Sequence, residues 1–410
     1  MLLNIEKNND TIKIHFYKLK TSKVIDDLIK FLNSVKDCNK EIILDFTGIR
    51  NKTYSNSHTT ISGVIDYYKN KGLNLKVVDK GYISSTSINK PIHFEPNIDL
   101  ATNSVFDKVI KFDNTNVDAV SDSVIGQIKF LYACEHNFLP SLSWCLKEIM
   151  DNVINHSGKN EGLIMVQAHS RRRQLNVSIF DRGKGLLNTL SKSGEYSPKN
   201  ELEAIDLALT AKVSGDREIG QGNGMWGLKQ IVKNNRGYLS VMTGHAIKMF
   251  DFENNNVTIY DNLAILDEDD YCTRIDFSLN FDNAISVKEA LGNYEIYERI
   301  NSDIENMEND GNWIVFNIKK ESILGTGTRQ SGKAIRKYLI NIMNTTENRI
   351  VLDFKDVDMI SSSYADETVA QLILEIGKET YKNRFILSGL NEQCKAVVSS
   401  AIIQRIDFQI

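Results

Sequence analysis

Two segments near the ends of the chain repeat one strand pattern, and this repeat constrains the fold more than any other feature of the sequence. Residues 41–49 and 349–357 share the core Ile-x-Leu-Asp-Phe. Around each core, strand and helix patterns alternate in the order βαβαβ, which is typical of small sheets with helices packed on them. The expected elements are 11–17, 24–35, 41–49, 59–69 and 73–78 in the first copy, and 313–318, 333–343, 349–357, 366–382 and 385–390 in the second. We therefore predict two similar α/β domains, over residues 1–100 and 312–410.

The composition is that of a globular protein with about two to three domains. Of the 410 residues, 41% are hydrophobic and 25% charged, which is not typical of disorder. The net charge of −4 gives no general attraction to nucleic acid or to anionic membranes. No apolar run reaches the roughly 18 residues of a spanning helix and no leader pattern opens the sequence, so we expect a cytoplasmic protein. The five cysteines include no CxxC pair, which favours reduced structural thiols over disulfides or zinc.

The middle of the chain, residues 101–285, has a different pattern. The expected elements are helices up to about residue 154, strands at 163–168 and 175–180, helices at 201–212 and up to about 234, and a strand at 274–279. The first two strands predict a hairpin whose tip carries the arginines 171–173; we expect these to be solvated, with an acidic partner or a phosphate as the alternative. Residues 286–311 end in an acidic, asparagine-rich stretch and predict a linker.

Three short motifs in this middle segment contain residues suited to ligand binding or proton transfer. The first is one face of a predicted helix. Glu148, Asn152 and Asn155 fall opposite an apolar face that contains Ile149 and Val153. An amide oxygen is a hard ligand for Mg²⁺, and a carboxylate one turn away can orient or deprotonate a water. The alternative is an ordinary solvated face of a helix.

The second motif is Asp181-x-Gly183-x-Gly185, directly after a strand pattern. A buried aspartate at a strand end can accept a hydrogen bond from an exocyclic amine such as N6 of adenine, and glycines let the backbone approach the base. A plain turn built on Asp181 explains the same residues equally well.

The third motif is a glycine cluster that leads straight into a helix. Its glycines are Gly220, Gly222, Gly224 and Gly227. Free backbone N–H groups at a helix start, in a loop without bulky side chains, form a phosphate cradle. A dinucleotide-binding fingerprint is the competing interpretation, but that fingerprint follows a strand, whereas this cluster follows a helical pattern and a polar loop.

In this order the three motifs resemble those of the Bergerat-fold ATPases, the GHKL superfamily of gyrase, heat-shock chaperone, histidine kinase and mismatch-repair ATPases. The resemblance covers residues 101–285 and implies an α+β sandwich that binds ATP and Mg²⁺. It implies that Asn152 binds magnesium, that Asp181 binds adenine, and that Glu148 is the general base in hydrolysing members. The other cofactor-binding residues that it implies are Asn155, Gly183, Gly185, Gly220, Gly222, Gly224, Gly227 and Thr273.

The resemblance also makes residues 187–219 the ATP lid, with Lys212 and Arg217 as candidates to contact the γ-phosphate. The sequence departs from the family pattern at two positions. Cys272 stands where the family often has a glycine before the threonine, and Trp226 interrupts the second glycine motif. We expect Trp226 to be a core aromatic residue behind the loop.

A second glycine-rich segment, residues 327–334, nearly spells a P-loop. It has Ala334 where a Ser or Thr should bind magnesium, and the strand before it ends near residue 318 instead of leading into the loop. We expect a flexible loop that leads into a helix at Lys333, not a second nucleotide site.

The segment after the second repeated strand resembles STAS domains, the fold of anti-sigma-factor antagonists. In that family a serine at the start of a helix accepts phosphate from a GHKL kinase, and Ser362 is the matching position. Ser361 stands where the family usually has aspartate, and Tyr364 where it often has glycine. Ser363-x-x-Asp366 fits a helix-capping box, which explains the serines without phosphate. The first copy of the repeat resembles STAS domains more weakly.

The expected fold is therefore α/β, with a Bergerat ATPase domain between N- and C-terminal STAS-like domains. The leading hypothesis for function is an ATP-hydrolysing switch whose STAS-like domains relay the nucleotide state to protein partners. The alternatives are an anti-sigma-type serine/threonine kinase that acts on a STAS domain, and a non-hydrolysing ATP-gated binding module of a signalling or defence complex. We expect no nucleic-acid or membrane partner. Many GHKL proteins dimerise, so a homodimer is an open alternative.

Overall fold

The structure is a computed structural model of the chain. It describes residues 3–19, 22–94, 104–192, 196–210, 213, 224–267, 271–285, 290, 308–309, 313–322 and 325–406. Within these residues the backbone forms three sheets, of four, eight and four strands. Helices pack on each sheet, so the protein is a mixed α/β protein, as predicted.

The first sheet has the strand order β1-β2-β3-β4. Its strands are β1 (Asn4–Lys7), β2 (Thr11–His15), β3 (Glu41–Asp45) and β4 (Leu75–Val78). Strand β1 is antiparallel to β2, whereas β2, β3 and β4 are parallel. The crossovers are helices α1 (Ser22–Val35) and α2 (Ser55–Asn70), and the short helix α3 (Tyr82–Ser85) follows the sheet.

The last sheet repeats this arrangement with the order β13-β14-β15-β16. Its strands are β13 (Glu308–Asn309), β14 (Trp313–Asn317), β15 (Arg349–Asp353) and β16 (Phe385–Ser388). Its helices are α9 (Ile318–Glu321), α10 (Arg329–Met343), α11 (Ser362–Ala365), α12 (Gln371–Ile376), α13 (Lys378–Arg384) and α14 (Glu392–Ile406), with a π-helical turn (Asp366–Ala370) between α11 and α12. The first pair of strands is antiparallel and the others are parallel. Strands β3 and β15 therefore hold equivalent positions, and the predicted repeat is confirmed.

The central sheet has the order β11-β10-β9-β12-β8-β7-β6-β5. Its strands are β5 (Ile92–His93), β6 (Ile110–Asp113), β7 (Glu161–His169), β8 (Gln174–Asp181), β9 (Tyr238–Thr243), β10 (Ala246–Asp251), β11 (Asn256–Tyr260) and β12 (Thr273–Asn280). All neighbours are antiparallel except β5 and β6. Strand β5 belongs to this sheet although it precedes residue 100, where we predict the domain boundary.

One face of the central sheet is covered by helices of the same segment. These helices are α4 (Val117–Leu131), α5 (Phe138–His156) and α8 (Gly224–Asn234), and α6 (Gly185–Lys192) and α7 (Glu201–Ala208) lie between β8 and α8 in the chain. Leu146 of α5 and Leu228 of α8 share a buried core with Val177 and Ile179 of β8. This core fixes α5 and α8 relative to the end of β8.

The opposite face of the central sheet is covered by helix α2 of the first domain. Phe180 of β8 belongs to the core of that domain, and a Cβ added to Gly63 would lie 2.1 Å from its ring. Polar contacts cross the same interface: the Thr59 and Ser178 hydroxyls are 2.7 Å apart, and Arg274 Nη1 donates to Thr60 Oγ1 at 3.0 Å. The middle of the central sheet, at β7, β8 and β12, is therefore buried on both faces.

Some predicted helices are shorter or interrupted in the structure. The helix expected over 366–382 is broken at Gly377, whose φ of +86° is left-handed and ends α12. The helix expected over 201–212 ends at Ala208, and Lys212 lies outside the described residues. The helical region expected up to residue 154 is two helices, α4 and α5, joined by residues 132–137. Hydrophobic periodicity alone shows none of these breaks.

The capping box that we predicted at Ser363 and Asp366 is wrong. Ser361 caps α11, because its Oγ accepts the Tyr364 N–H at 3.0 Å. The Asp366 carboxylate instead binds Arg405, with distances of 2.8 and 2.9 Å. Ser362 is exposed as the first residue of α11.

The structure confirms some features of the predicted loops and differs from the prediction in others. The hairpin of β7 and β8 is confirmed; Arg171 and Arg172 are exposed at its tip, while Arg173 Nε donates to Asp282 at 2.9 Å. The near P-loop leads into a helix, as expected, but α10 begins at Arg329, where Thr328 accepts the Ser331 N–H at 3.1 Å. The predicted linker at 286–311 lies mainly outside the described residues.

Replacing Gly63 by Ala tests the contact between α2 and the central sheet. Alanine favours helices, but its methyl group would meet the buried Phe180 ring, and overpacking a core of this kind costs roughly 1–3 kcal/mol. We expect a lower urea midpoint for Gly63→Ala. Gly327→Ala is the matched control, since no atom lies within 4 Å of its added Cβ. A Gly63→Ala protein at least as stable as the wild type would contradict this packing.

Candidate functional site

The site is built along helix α5, which lies against the central sheet through its apolar side. Leu146, Ile149 and Val153 are buried in the central core. Glu148 and Asn152, on the other side, are half-buried, and Asn155 is exposed one turn further on. The helical spacing predicted from the sequence therefore places these three polar residues along one face.

Glu148 and Asn152 meet the start of helix α8 at Gly224. A Cβ added to Gly224 would lie 2.8 Å from Glu148 Oε2 and 3.2 Å from Asn152 Nδ2. A larger residue here would push the Glu148 carboxylate or the Asn152 amide away from the start of α8. The first N–H groups of α8 have no acceptor within their own helix, which gives this end a partial positive charge next to the Glu148 carboxylate and the Asn152 amide.

Strand alternation determines where Asp181 points. Val177 and Ile179 of β8 face the helix layer, whereas Ser178 and Phe180 face helix α2. Successive side chains of a strand alternate between faces, so Asp181 lies on the same side as α5. The last residue of this strand thus places a buried carboxyl group near the carboxyl end of the helix that carries Glu148.

The environment of Asp181 favours its neutral form. Burial raises the pKa of its carboxyl group from 3.8 to about 7, and the Gly183 N–H, which donates to Oδ1 at 2.7 Å, opposes that rise. Burial away from water disfavours the charged form of a carboxyl group, so this group ionises at a higher pH than an exposed one. Perturbed groups of this kind are concentrated at binding and catalytic sites, although structural networks produce them too.

The loop after Asp181 fits closely over the end of helix α5. A Cβ added to Gly183 would lie 2.5 Å from the Ser157 carbonyl oxygen, and the Lys184 N–H donates to that oxygen at 3.2 Å. Gly185 has a φ of +74°, a backbone angle that residues other than glycine rarely adopt. The two predicted glycines are therefore required by the backbone path.

Thr273 lies beside Asp181 on the neighbouring strand β12, in direct register. The departure at Cys272 is accommodated, because this residue adopts a left-handed φ of +53° and its N–H donates to the Gly183 carbonyl at 3.2 Å. Cys272 thus takes the backbone conformation that a glycine adopts without strain.

Thr243 is a site residue that the sequence reasoning missed. It is the last residue of β9, paired in register with Thr273, and its Oγ1 accepts the Leu186 N–H at 2.9 Å. It thereby holds the start of helix α6 onto the sheet. The one sequence signal was a threonine followed by glycine at a strand end, which is too common to identify a site.

The structure places the predicted residues that it describes in two main groups. One is Glu148, Asn152 and Gly224, and the other is Asp181, Gly183 and Thr273. Gly227 is buried in α8, and Trp226 is half-buried against the central core, as expected. Gly220, Gly222, Lys212 and Arg217 lie outside the described residues. Ser362 lies in α11 of the last domain, whereas Glu148 lies in α5 and Asp181 ends β8 of the central sheet.

Comparison with known proteins supports one part of the chain. Residues 331–395 match a family model described as a STAS-like domain of unknown function, so the C-terminal part of the sequence contains a STAS-like domain. The matched segment includes most of α10 together with β15 and β16. No curated protein matches the chain.

Among the described residues, no three His, Cys, Asp or Glu side chains are grouped in a way that could hold a metal ion. No helix in the described part of the chain has both the length and the apolar character needed to cross a membrane.

The pH dependence of stability tests the environment of Asp181. Its pKa is about 7 in the folded protein and 3.8 in the unfolded reference. Between these values unfolding releases a proton, so the free energy of unfolding falls as pH rises through this window, by at most roughly 4 kcal/mol. Asp181→Asn lacks this carboxyl group and therefore this pH dependence. Its free energy of unfolding, relative to that of the wild type, should increase as the pH rises from 5 to 8.

Urea denaturation at pH 5 and at pH 8 measures this difference. Asp122→Asn, which changes an exposed carboxylate of α4, is the control and should leave the pH dependence unchanged. A stability difference between Asp181→Asn and the wild type that is equal at both pH values would contradict the raised pKa.

Proposed function

We propose that the central domain binds Mg-ATP between helix α5, the loop after β8 and the start of helix α8. The observation that carries the proposal is the meeting of Glu148 and Asn152 with Gly224, on the same side of the sheet as the buried Asp181. A hard-oxygen donor set, a helix N-terminus and a buried hydrogen-bond acceptor are the groups that a magnesium nucleotide requires. The resemblance to GHKL ATPases points to the same residues.

The donor set fits magnesium and a nucleotide. Mg²⁺ usually keeps several waters and takes only one or two protein oxygens together with substrate phosphates, so the Asn152 amide oxygen is a sufficient protein ligand. At the other end, an ionised Asp181 can accept from the exocyclic amine of adenine, and glycine at position 183 avoids a Cβ that would lie 2.6 Å from Asp181 Oδ1. Thr273, in register with Asp181, supplies a hydroxyl at the same strand end.

In this proposal each residue around helix α5 has a separate role. Asn152 would hold Mg²⁺ through its amide oxygen, and the ion would neutralise negative charge on the phosphates. The first N–H groups of α8, at Gly224, would face those phosphates. Glu148 accepts a proton from a water positioned for attack on the terminal phosphate, and its half-buried position limits competing solvent. Asp181 binds the adenine base of the nucleotide.

Glu148→Gln tests the proposed hydrolysis. The amide keeps the size of the side chain but cannot accept a proton, and loss of a general base costs about 10²–10⁴-fold in rate. We expect phosphate release to fall to that extent while the affinity for Mg-ATP is kept. Turnover is measured by phosphate release and affinity by calorimetry.

The matched control is Asp151→Asn, which removes an exposed carboxylate from the same helix. This variant should hydrolyse ATP like the wild type. Unchanged turnover in Glu148→Gln would contradict the role of Glu148. Binding without turnover in the wild type would favour the ATP-gated binding module instead.

A second candidate function is phosphoryl transfer to a serine of a STAS-like domain. The observation that favours it is the exposure of Ser362 at the first residue of α11, directly after the segment that follows β15. Because Ser361, and not Ser362, caps the helix, the Ser362 hydroxyl is not used for capping. A GHKL-type kinase could therefore modify it in this chain or in a second copy.

Intact-mass analysis after incubation with Mg-ATP tests the transfer. We expect one added phosphate on the wild type and none on Ser362→Ala. Ser399→Ala, which removes an exposed serine of α14, should be modified like the wild type. A wild-type chain that gains no phosphate, or equal modification of Ser362→Ala, would exclude Ser362 as the acceptor.

A further inference from the structure

Helix α10 of the STAS-like domain contacts the central domain at the end of helix α4. The last carbonyl groups of a helix have no partner within the helix. Here the carbonyls of Lys129 and Tyr132 accept from Asn341 Nδ2 at 3.3 and 3.2 Å, and the carbonyl of Leu131 accepts from Lys337 Nζ. A helix of another domain therefore satisfies this helix end.

The same helix also binds the backbone that follows α4. Asn341 Oδ1 accepts the Cys134 N–H at 2.8 Å, and Asn344 Nδ2 donates to the Cys134 carbonyl at 3.0 Å. Asn341 is 3% exposed, so its hydrogen bonds are made away from solvent. We call residues 129–134 the clamped segment.

The clamped segment is also fixed from the central domain. The Ala133 carbonyl accepts from Arg173 Nη2 at 2.7 Å, and the N–H of Glu135, the residue directly after the segment, donates to the Phe281 carbonyl at 2.8 Å. The segment thus lies between α10 on one side and the ends of β8 and β12 on the other. Its backbone groups have partners in both domains.

Aromatic packing connects the clamped segment to helix α5. Tyr132 stacks on Phe281 with the ring centroids 4.5 Å apart, and Phe281 packs on Phe138, the first residue of α5, at 5.2 Å. Lys337 Nζ of α10 also lies over the Tyr132 ring, 5.9 Å from its centroid. Continuous contact therefore leads from α10 to the first turn of the helix that carries Glu148 and Asn152.

We propose that α10 of the STAS-like domain is a clamp that sets the position of α5, and that Asn341 is its central positioning residue. The inference rests on the proposed nucleotide site and adds its regulation: the STAS-like domain acts on Glu148 and Asn152 from within the chain, through the α4–α5 connection. Any event that moves α10, such as a protein binding to the STAS-like domain, changes nucleotide affinity. By linkage, nucleotide binding changes the exposure of α10.

Hydrogen exchange on the full chain, without nucleotide and then with Mg-ATP, tests the clamp. Asn341→Ala removes three hydrogen bonds to the clamped segment. We expect at least about fivefold faster exchange in residues 131–136 and in the first turns of α5, since a lost hydrogen bond lowers the local opening energy. We also expect Mg-ATP affinity to fall roughly tenfold, within the usual range of coupling between sites.

Gln330→Ala is the control, because it removes an exposed amide from the same helix. It should leave both exchange and affinity unchanged. Asn344→Ala is the milder second variant: it removes one bond, to the Cys134 carbonyl, and should give the same pattern at smaller amplitude even if Asn341→Ala does not fold.

The outcomes separate the clamp from the nucleotide site. Faster exchange confined to the clamped segment, with α5 like the wild type, would overturn the clamp and leave α10 a purely structural contact. Faster exchange in α5 with unchanged Mg-ATP affinity would overturn the regulation. A wild type that does not bind Mg-ATP would refute the proposed function, and the exchange of nucleotide-free α5 would still decide whether α10 positions that helix.

Discussion

The burial of strand β8 on both faces is the constraint on which the rest of the structure depends. Val177 and Ile179 face the helices of the central segment, and Phe180 faces helix α2 of the first domain. Hydrophobic burial on two sides fixes the strand, so its last residue, Asp181, is held in one place as the chain turns at Gly183 and Gly185. The buried ion pair of Arg274 and Asp276, at 2.8 Å, is completed by hydroxyls of α2 and β8 on the α2 side of the sheet. The first domain is therefore part of the support of the candidate site.

Helix α5 is the second support, and it connects three parts of the molecule. Its middle meets Gly224, its carboxyl end meets Gly183, and its first residue packs on Phe281 next to the clamped segment. A rigid helix transmits a shift at one end to the other, because its backbone hydrogen bonds keep the residues in fixed relation. This arrangement gives the STAS-like domain a physical route to Glu148 that does not require direct contact with the site.

Much of this organisation could be predicted from local patterns, and the remainder depends on contacts distant in sequence. The spacing of Glu148 and Asn152 follows from helix geometry, which is why their shared face was predicted correctly. The end of α12 at Gly377 and the capping by Ser361 depend on individual backbone angles that a periodic pattern does not contain. The close approach of Gly63 to Phe180, the support from Thr243 and the clamp at Asn341 join segments that are far apart in the chain, so no sequence window contains both partners.

The central claim is that Asp181 and the helices around it bind a magnesium nucleotide. A calorimetric titration with ATP and magnesium at pH 8, where the Asp181 carboxyl is mainly ionised, tests it most directly when the wild type is compared with Asp181→Asn. A charged acceptor forms a stronger hydrogen bond than a neutral amide, so we expect binding by the wild type and a loss of affinity of roughly tenfold or more in the variant. Equal affinities, or no binding by the wild type, would contradict it.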